Sequence, residues 1–153
     1  MPEVVNLTPH PIRVRAEDGT EVVIPPSGKV ARVKPKQVQV SSVALEGYRD
    51  NEDDEIVIPV VKTELGEVEG LPPYSCLNCK YHKNNHGECD PDADPFVPYQ
   101  CKHFEPVTLY IVSTLVAQAC KGRKDVVAPD TSPESVVRDE SGQIVAVRRF
   151  QVF

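Results

Sequence analysis

The sequence predicts an α+β fold, mostly antiparallel β-sheet with one or two short helices and a zinc knuckle. Three observations predict it. Short runs of alternating apolar and polar residues are punctuated by glycine, proline and aspartate; one segment carries a helix cap and a helical apolar stripe; and four of the five cysteines lie between residues 76 and 101. The 153 residues fit one domain, 1–153, and a 40% hydrophobic content is enough for a modest core.

The elements follow in order. Glu3 to Leu7 and Pro11 to Arg15 read as short strands split by Thr8-Pro9-His10-Pro11, where two prolines impose an extended turn and make His10 a turn residue. Asp18-Gly19 is a hairpin signal, and Thr20 to Ile24 alternates as the returning strand. Ser27-Gly28 punctuates before Val30, Arg32-Val33 and the alternating stretch Gln37 to Leu45. Asp50, Glu52, Asp53, Asp54 and Glu55 form an acidic loop, after which Ile56 to Leu65 is a β-rich run ended by Gly66. Arg13, Arg15, Lys29, Arg32, Lys34 and Lys36 alternate with apolar residues, as on the wet face of a sheet.

In the second half, Thr108 to Val112 reads as a strand running into Ser113, the N-cap of a helix over Thr114 to Lys121. Leu115, Val116, Ala119 and Cys120 share one helical face, Gly122 is placed as a C-terminal stop, and Cys120 reads as a small core residue. Val126 to Ala128, Ser135 to Arg138 and Ile144 to Val152 complete the strands, the last two joined across Ser141-Gly142.

Cys76, Cys79, Cys89 and Cys101 supply four thiolates, the number that closes a tetrahedral zinc site. The residues between them, rich in asparagine and proline, lack the apolar periodicity to bury a core of their own, and metal-binding free energy supplies what the core does not. Two disulfides are the alternative in an oxidising compartment, and an iron-sulfur cluster is a further one. His82, His86 and His103 are candidates to replace one cysteine as ligand. No signal peptide opens the sequence, so a cytoplasmic, reducing location is expected. A site closed by four cysteines leaves no open position for water and is structural.

The net charge of −6 argues against a surface given over to nucleic acid, and no apolar run is long enough to span a membrane. No Walker loop, G-x-S-x-G elbow, HExxH helix or zinc-deaminase motif is present, so the expected function is not enzymatic.

The phrases Val4-Val5-Asn6-Leu7-Thr8-Pro9-His10-Pro11, Pro26-Ser27-Gly28-Lys29-Val30-Ala31-Arg32 and Gly66-Glu67-Val68-Glu69-Gly70-Leu71-Pro72 are followed by Leu109-Tyr110-Ile111-Val112-Ser113, Leu115-Val116-Ala117-Gln118-Ala119 and Val137-Arg138-Asp139-Glu140. Taken in this order, they resemble the phage-encoded Thoeris anti-defence family of nucleotide sponges. The resemblance implies a homo-oligomer in the host cytoplasm that binds a cyclic ADP-ribose isomer, or a related cyclic nucleotide, without cleaving it and so blocks TIR-based immunity. Compact members pass almost directly from the Gly-Leu-Pro phrase to the Tyr-Ile-Val-Ser strand, so residues 74–107, with their four cysteines, look like an insertion. A pyrophosphate-bridged ligand needs guanidinium groups for its phosphates and an aromatic face for adenine. Within the matching phrases and beside the helix, the candidates for ligand binding are Arg138, Arg123, Tyr110 and Asn6. For each there is a plainer role: an ion pair of Arg138 with Asp139 or Glu140, Arg123 at a helix C-terminus, Tyr110 in the core, and Asn6 bonded to its own turn. The alternative function is a zinc-stabilised module of a phage or mobile element that docks on a protein or nucleic acid. Lys80-Tyr81-His82-Lys83 favours it, and Asp90, Asp92 and Asp94 oppose contact with phosphates.

Overall fold

A computed structural model describes residues 2–46, 55–81 and 104–153. The elements are β1 (Glu3–Asn6), β2 (Ile12–Arg15), β3 (Glu21–Ile24), β4 (Arg32–Glu46), β5 (Glu55–Glu69), a 3-10 turn (Cys76–Asn78), β6 (Thr108–Ile111), α1 (Thr114–Ala119), β7 (Val126–Pro129), β8 (Val136–Arg138), β9 (Ile144–Val147) and β10 (Phe150–Gln151). The chain is therefore mostly β with very little helix. It divides into two compact units, one formed by Met1–Arg32 with Val68–Phe153 and the other by Val33–Glu67.

The larger unit holds two four-stranded sheets, in the orders β1-β6-β7-β10 and β3-β2-β9-β8. Antiparallel ladders join β2 to β3, β8 to β9 and β7 to β10, but parallel pairing, which the residues did not announce, stands beside them. Parallel ladders join β1 to β6 and β6 to β7, and a single parallel bridge, Val14 to Val147, joins β2 to β9. Alternation along a strand reports which face is buried but carries no sign of strand direction, and the parallel partners come from distant parts of the chain. β6, α1 and β7 form a short βαβ crossover in which the helix packs on β7. β7 lies inside its sheet and is buried along Val126, Val127 and Ala128, the continuous apolar run expected of a strand covered on both faces.

α1 starts where the sequence places it, with the Ser113 hydroxyl accepting from the Val116 N–H at 3.4 Å. It ends two residues before Lys121, capped by Cys120, with Gly122 at a φ of 93° beyond it. The buried stripe is also shifted: Val116 and Ala117 are buried, whereas Leu115 is 48% exposed. A helix this short is oriented by the strands it connects, so tertiary packing overrides the apolar count of its own turns.

Where β1 leaves its sheet, Asn6 folds the chain back. Its Nδ2 donates to the carbonyls of His10 at 2.8 Å and Ile24 at 3.1 Å, and its Oδ1 accepts from the Thr8 N–H at 2.9 Å and the Thr8 hydroxyl at 2.6 Å. Both amide protons and both oxygen lone pairs are thus used at a residue only 1% exposed. His10 lies exposed in this turn.

The smaller unit consists of β4 and β5, paired as a two-stranded sheet. β5 runs through Gly66, where the sequence suggested a stop, and ends at Glu69. The turn falls instead at Gly70, whose φ is 80° and where a Cβ would lie 2.4 Å from the Val30 carbonyl oxygen. Of the acidic loop, Asp50, Glu52, Asp53 and Asp54 lie outside the described residues, and Glu55 opens β5.

Candidate functional site

β8 closes one side of its sheet, and Arg138 stands at its C-terminal end beside a register irregularity that pairs it with Ile144. The guanidinium is exposed and its Nη1 donates to the Gly142 carbonyl at 2.7 Å. Asp139 does not neutralise it. That carboxylate accepts from the Ser141 hydroxyl at 2.6 Å, the Ser141 N–H at 2.9 Å and the Gln143 N–H at 3.0 Å. These bonds, the Ser141 hydroxyl foremost, hold it below its ordinary value. Among the described residues, no carboxylate lies within ion-pair distance of Arg138.

A second guanidinium reaches the same strand. Arg148 follows β9 and its Nη1 donates to the Val136 carbonyl at 3.0 Å. The Val136 N–H is bonded to the Ser132 carbonyl at 3.1 Å, so both backbone groups of Val136 turn away from β9 and Arg148 lies along the outer edge of β8. Its anchor is two residues from Arg138, about 7 Å along a strand. Arg148 also lacks a carboxylate partner among the described residues. The buried Ser135 fixes this corner: its hydroxyl accepts from the N–H groups of Arg148 at 3.2 Å and Arg149 at 3.3 Å.

Arg149 is differently placed. Its Nε donates to the Asp130 carboxylate, and its Nη2 lies 3.3 Å from the Ser132 hydroxyl and 3.7 Å from Glu134. Arg149, followed by the Ser132 N–H, pulls the Asp130 carboxyl down to about 2. Sequence reasoning passed over Arg148; the signal was the Arg148-Arg149 pair directly after an apolar strand.

Arg123 belongs to a buried cluster in the larger unit. Its Nε and Nη2 grip the two carboxylate oxygens of Asp125 at 2.9 and 2.8 Å, with side-chain exposures of 8% and 0%. The guanidinium also lies over the Tyr74 ring, 5.2 Å from its centroid, and Tyr74 meets Phe104 edge-on at 5.0 Å. Tyr110 joins this cluster through its backbone N–H, bonded to the Asp125 carbonyl at 2.8 Å, and burial followed by the Asp125 charge raises its phenol above the ordinary value.

The four sequence candidates are therefore not gathered in one place. Arg123 and Tyr110 come together around Asp125, and Arg138 sits on the other sheet. Asn6 pairs in register with Ile111, one residue beyond Tyr110, so it and Tyr110 point to opposite faces of their sheet.

Cys76 opens the 3-10 turn, and the Cys79 N–H closes it on the Cys76 carbonyl at 3.0 Å, which sets the two cysteines on one turn, Cys79 buried and Cys76 half-buried. Asn78, between them, is bonded to β6 as a neighbouring strand would be: its Nδ2 donates to the Thr108 carbonyl at 2.9 Å and its Oδ1 accepts from the Thr108 N–H at 2.8 Å. Its Nδ2 also approaches Asp125 at 3.4 Å. Lys80 and Val107 add backbone bonds to Glu105 and Asn78. Cys89, Cys101, His82, His86 and His103 lie outside the described residues, as do Lys83, Asp90, Asp92 and Asp94. A turn carrying both cysteines of a CxxC pair suits half of a zinc knuckle. Cys120 is half-buried next to α1, and burial raises its thiol above the ordinary value, in keeping with a packing role.

Among the described residues, no helix is long and apolar enough to cross a membrane. Comparison of the chain with protein-family models, curated proteins and solved structures finds no match.

Proposed function

We propose that this chain sequesters a cyclic nucleotide immune signal of the cyclic ADP-ribose isomer type without cleaving it, as a phage-encoded homo-oligomer acting in the host cytoplasm to block TIR-based immunity. The reading rests on the resemblance of its phrases to the Thoeris anti-defence sponges. The observation that supports it is a pair of guanidiniums on the β8–β9 hairpin, Arg138 tethered to the Gly142 carbonyl and Arg148 to the Val136 carbonyl, neither neutralised by a described carboxylate. Two such guanidiniums, the anchor of one only two strand residues, about 7 Å, from the residue that bears the other, suit the two phosphates of a pyrophosphate bridge. Arg123 is the weaker phosphate ligand, because its bidentate bond to the buried Asp125 would have to be given up. Asn6 has no bonding capacity left for a ligand.

The test is to mix purified protein with a panel of cyclic ADP-ribose isomers and cyclic oligonucleotides, denature it by heat, and analyse what is released. Intact nucleotide is expected. Binding should weaken by roughly tenfold to a hundredfold in both Arg138→Ala and Arg148→Ala, and Arg138→Lys should restore little, because lysine lacks the planar fork. Binding of none of the panel sinks the reading; release of a cleaved product turns the protein into an enzyme.

A second reading, a zinc-stabilised interaction module, is favoured by the way Asn78 fastens the Cys76–Cys79 turn to β6, which gives a knuckle a rigid base. It expects a protein or nucleic acid to be retained by the full chain and lost when residues 82–103 are replaced by a short linker.

A further inference from the structure

β4 and β5 are each 15 residues long, and no residue of either strand is buried. An isolated two-stranded sheet is marginal in water, and its outer edges present unpaired backbone donors and acceptors. The two edges differ in their protection. β5 carries Pro59 in its first half and Lys62 at its midpoint. β4 has Pro35 and its lysines only near its start; from Gln37 to Leu45 it holds no charge, no proline and no glycine, while Val40 and Val43 are 58% and 47% exposed. Among the described residues, β4 pairs with β5 alone.

The charges bounding this stretch identify what completes it. Lys36 precedes it, Glu46 follows it, and Ser41 stands at its centre. Antiparallel pairing of two β4 strands about a twofold axis through Ser41 sets Lys36 of each copy opposite Glu46 of the other, with only uncharged residues between. An unrelated partner strand gains nothing from this symmetry, whereas a second copy satisfies both ends at once.

We propose that the β4 edge is a self-association surface, on which two copies of this chain pair antiparallel about Ser41 into a continuous four-stranded sheet. The pairing names the surface behind the expected homo-oligomer and does not depend on nucleotide binding. A chain that dimerises through this edge yet binds no nucleotide overturns only the functional reading, and a nucleotide-binding monomer overturns this proposal and the expected oligomer while leaving nucleotide sequestration standing.

Sedimentation of the full chain over a concentration series provides the first measurement. Lys36→Glu places like charges at both ends of the pairing and should weaken the dimer by about tenfold, and Lys36→Glu combined with Glu46→Lys should restore it. Both side chains are on exposed residues, so the fold itself should be unaffected. Disulfide trapping then fixes the register. Cα atoms directly opposite in an antiparallel pair lie about 4.5–5.5 Å apart, so Ser41→Cys should cross-link to its own counterpart under mild oxidation above the wild-type background. Ser42→Cys, displaced from the axis, should not, since bridging fails beyond about 7 Å. A monomer at all concentrations, a dimer indifferent to Lys36→Glu, or equal trapping by Ser41→Cys and Ser42→Cys overturns the proposal.

Discussion

Asp125 is completely buried, and its two oxygens are held by Arg123. Removing the arginine leaves a buried carboxylate without its cation, so Arg123→Ala should cost about 3–5 kcal/mol of stability in urea unfolding, with part recovered when Asp125→Asn is added. Asp130 makes a different case, because its partner Arg149 is 56% exposed. Its folded carboxyl is depressed from 3.8 to about 2, so the stability it adds is fully present above pH 4 and is lost as pH falls toward 2. Asp130→Asn should therefore melt below the wild type at pH 7, with the two melting temperatures converging between pH 4 and pH 2. Little of this was legible in the residues. Arg123 follows a helix and invites a macrodipole explanation, but it acts through a carboxylate two positions away that the bend into β7 turns toward it. Asn6, in contrast, had its own turn named as its plainer role, since an asparagine side chain can bond the backbone two residues on, here the Thr8 N–H.

Among the elements, hairpins and caps matched their local chemistry. Asp18-Gly19 turns β2 into β3, with Gly19 at a φ of 86°, and Ser113 caps α1. Gly66 and Gly70 illustrate where such signals stop being sufficient. Gly66 read as the end of a strand, yet β5 continues through it without a positive φ, although a Cβ there would lie tightly, 3.0 Å from the Lys34 carbonyl oxygen, and the chain turns at Gly70. Gly70→Ala should be destabilising by about 1–3 kcal/mol because it meets both a positive φ and the Val30 backbone; equal stability of Gly70→Ala and Gly19→Ala, where space is open, would contradict this. The lengths of β4 and β5 were also hidden, because polar and apolar residues exposed alike leave no burial pattern to read.

For the whole molecule, the cysteine segment carries the most direct test. If Cys76 and Cys79 complete a four-thiolate site, the protein should contain about one zinc per chain, and a strong chelator should lower its melting temperature and weaken protection of the Asn78–Thr108 contacts in hydrogen exchange. A metal-free preparation with unchanged melting would falsify the knuckle. By itself, the sequence determined that this chain is β-rich with one short capped helix, that a tight turn falls at Asp18-Gly19, and that its cysteines concentrate in one stretch, because each of these depends on neighbours a few residues apart. Tertiary structure alone decided the parallel ladders from β1 through β6 to β7, the separation of Val33–Glu67 as a unit, and the reach of Arg148 to the Val136 carbonyl of β8. Those depend on which distant strands pair and on which carbonyls an edge leaves open, and neither quantity is written in any local run of residues.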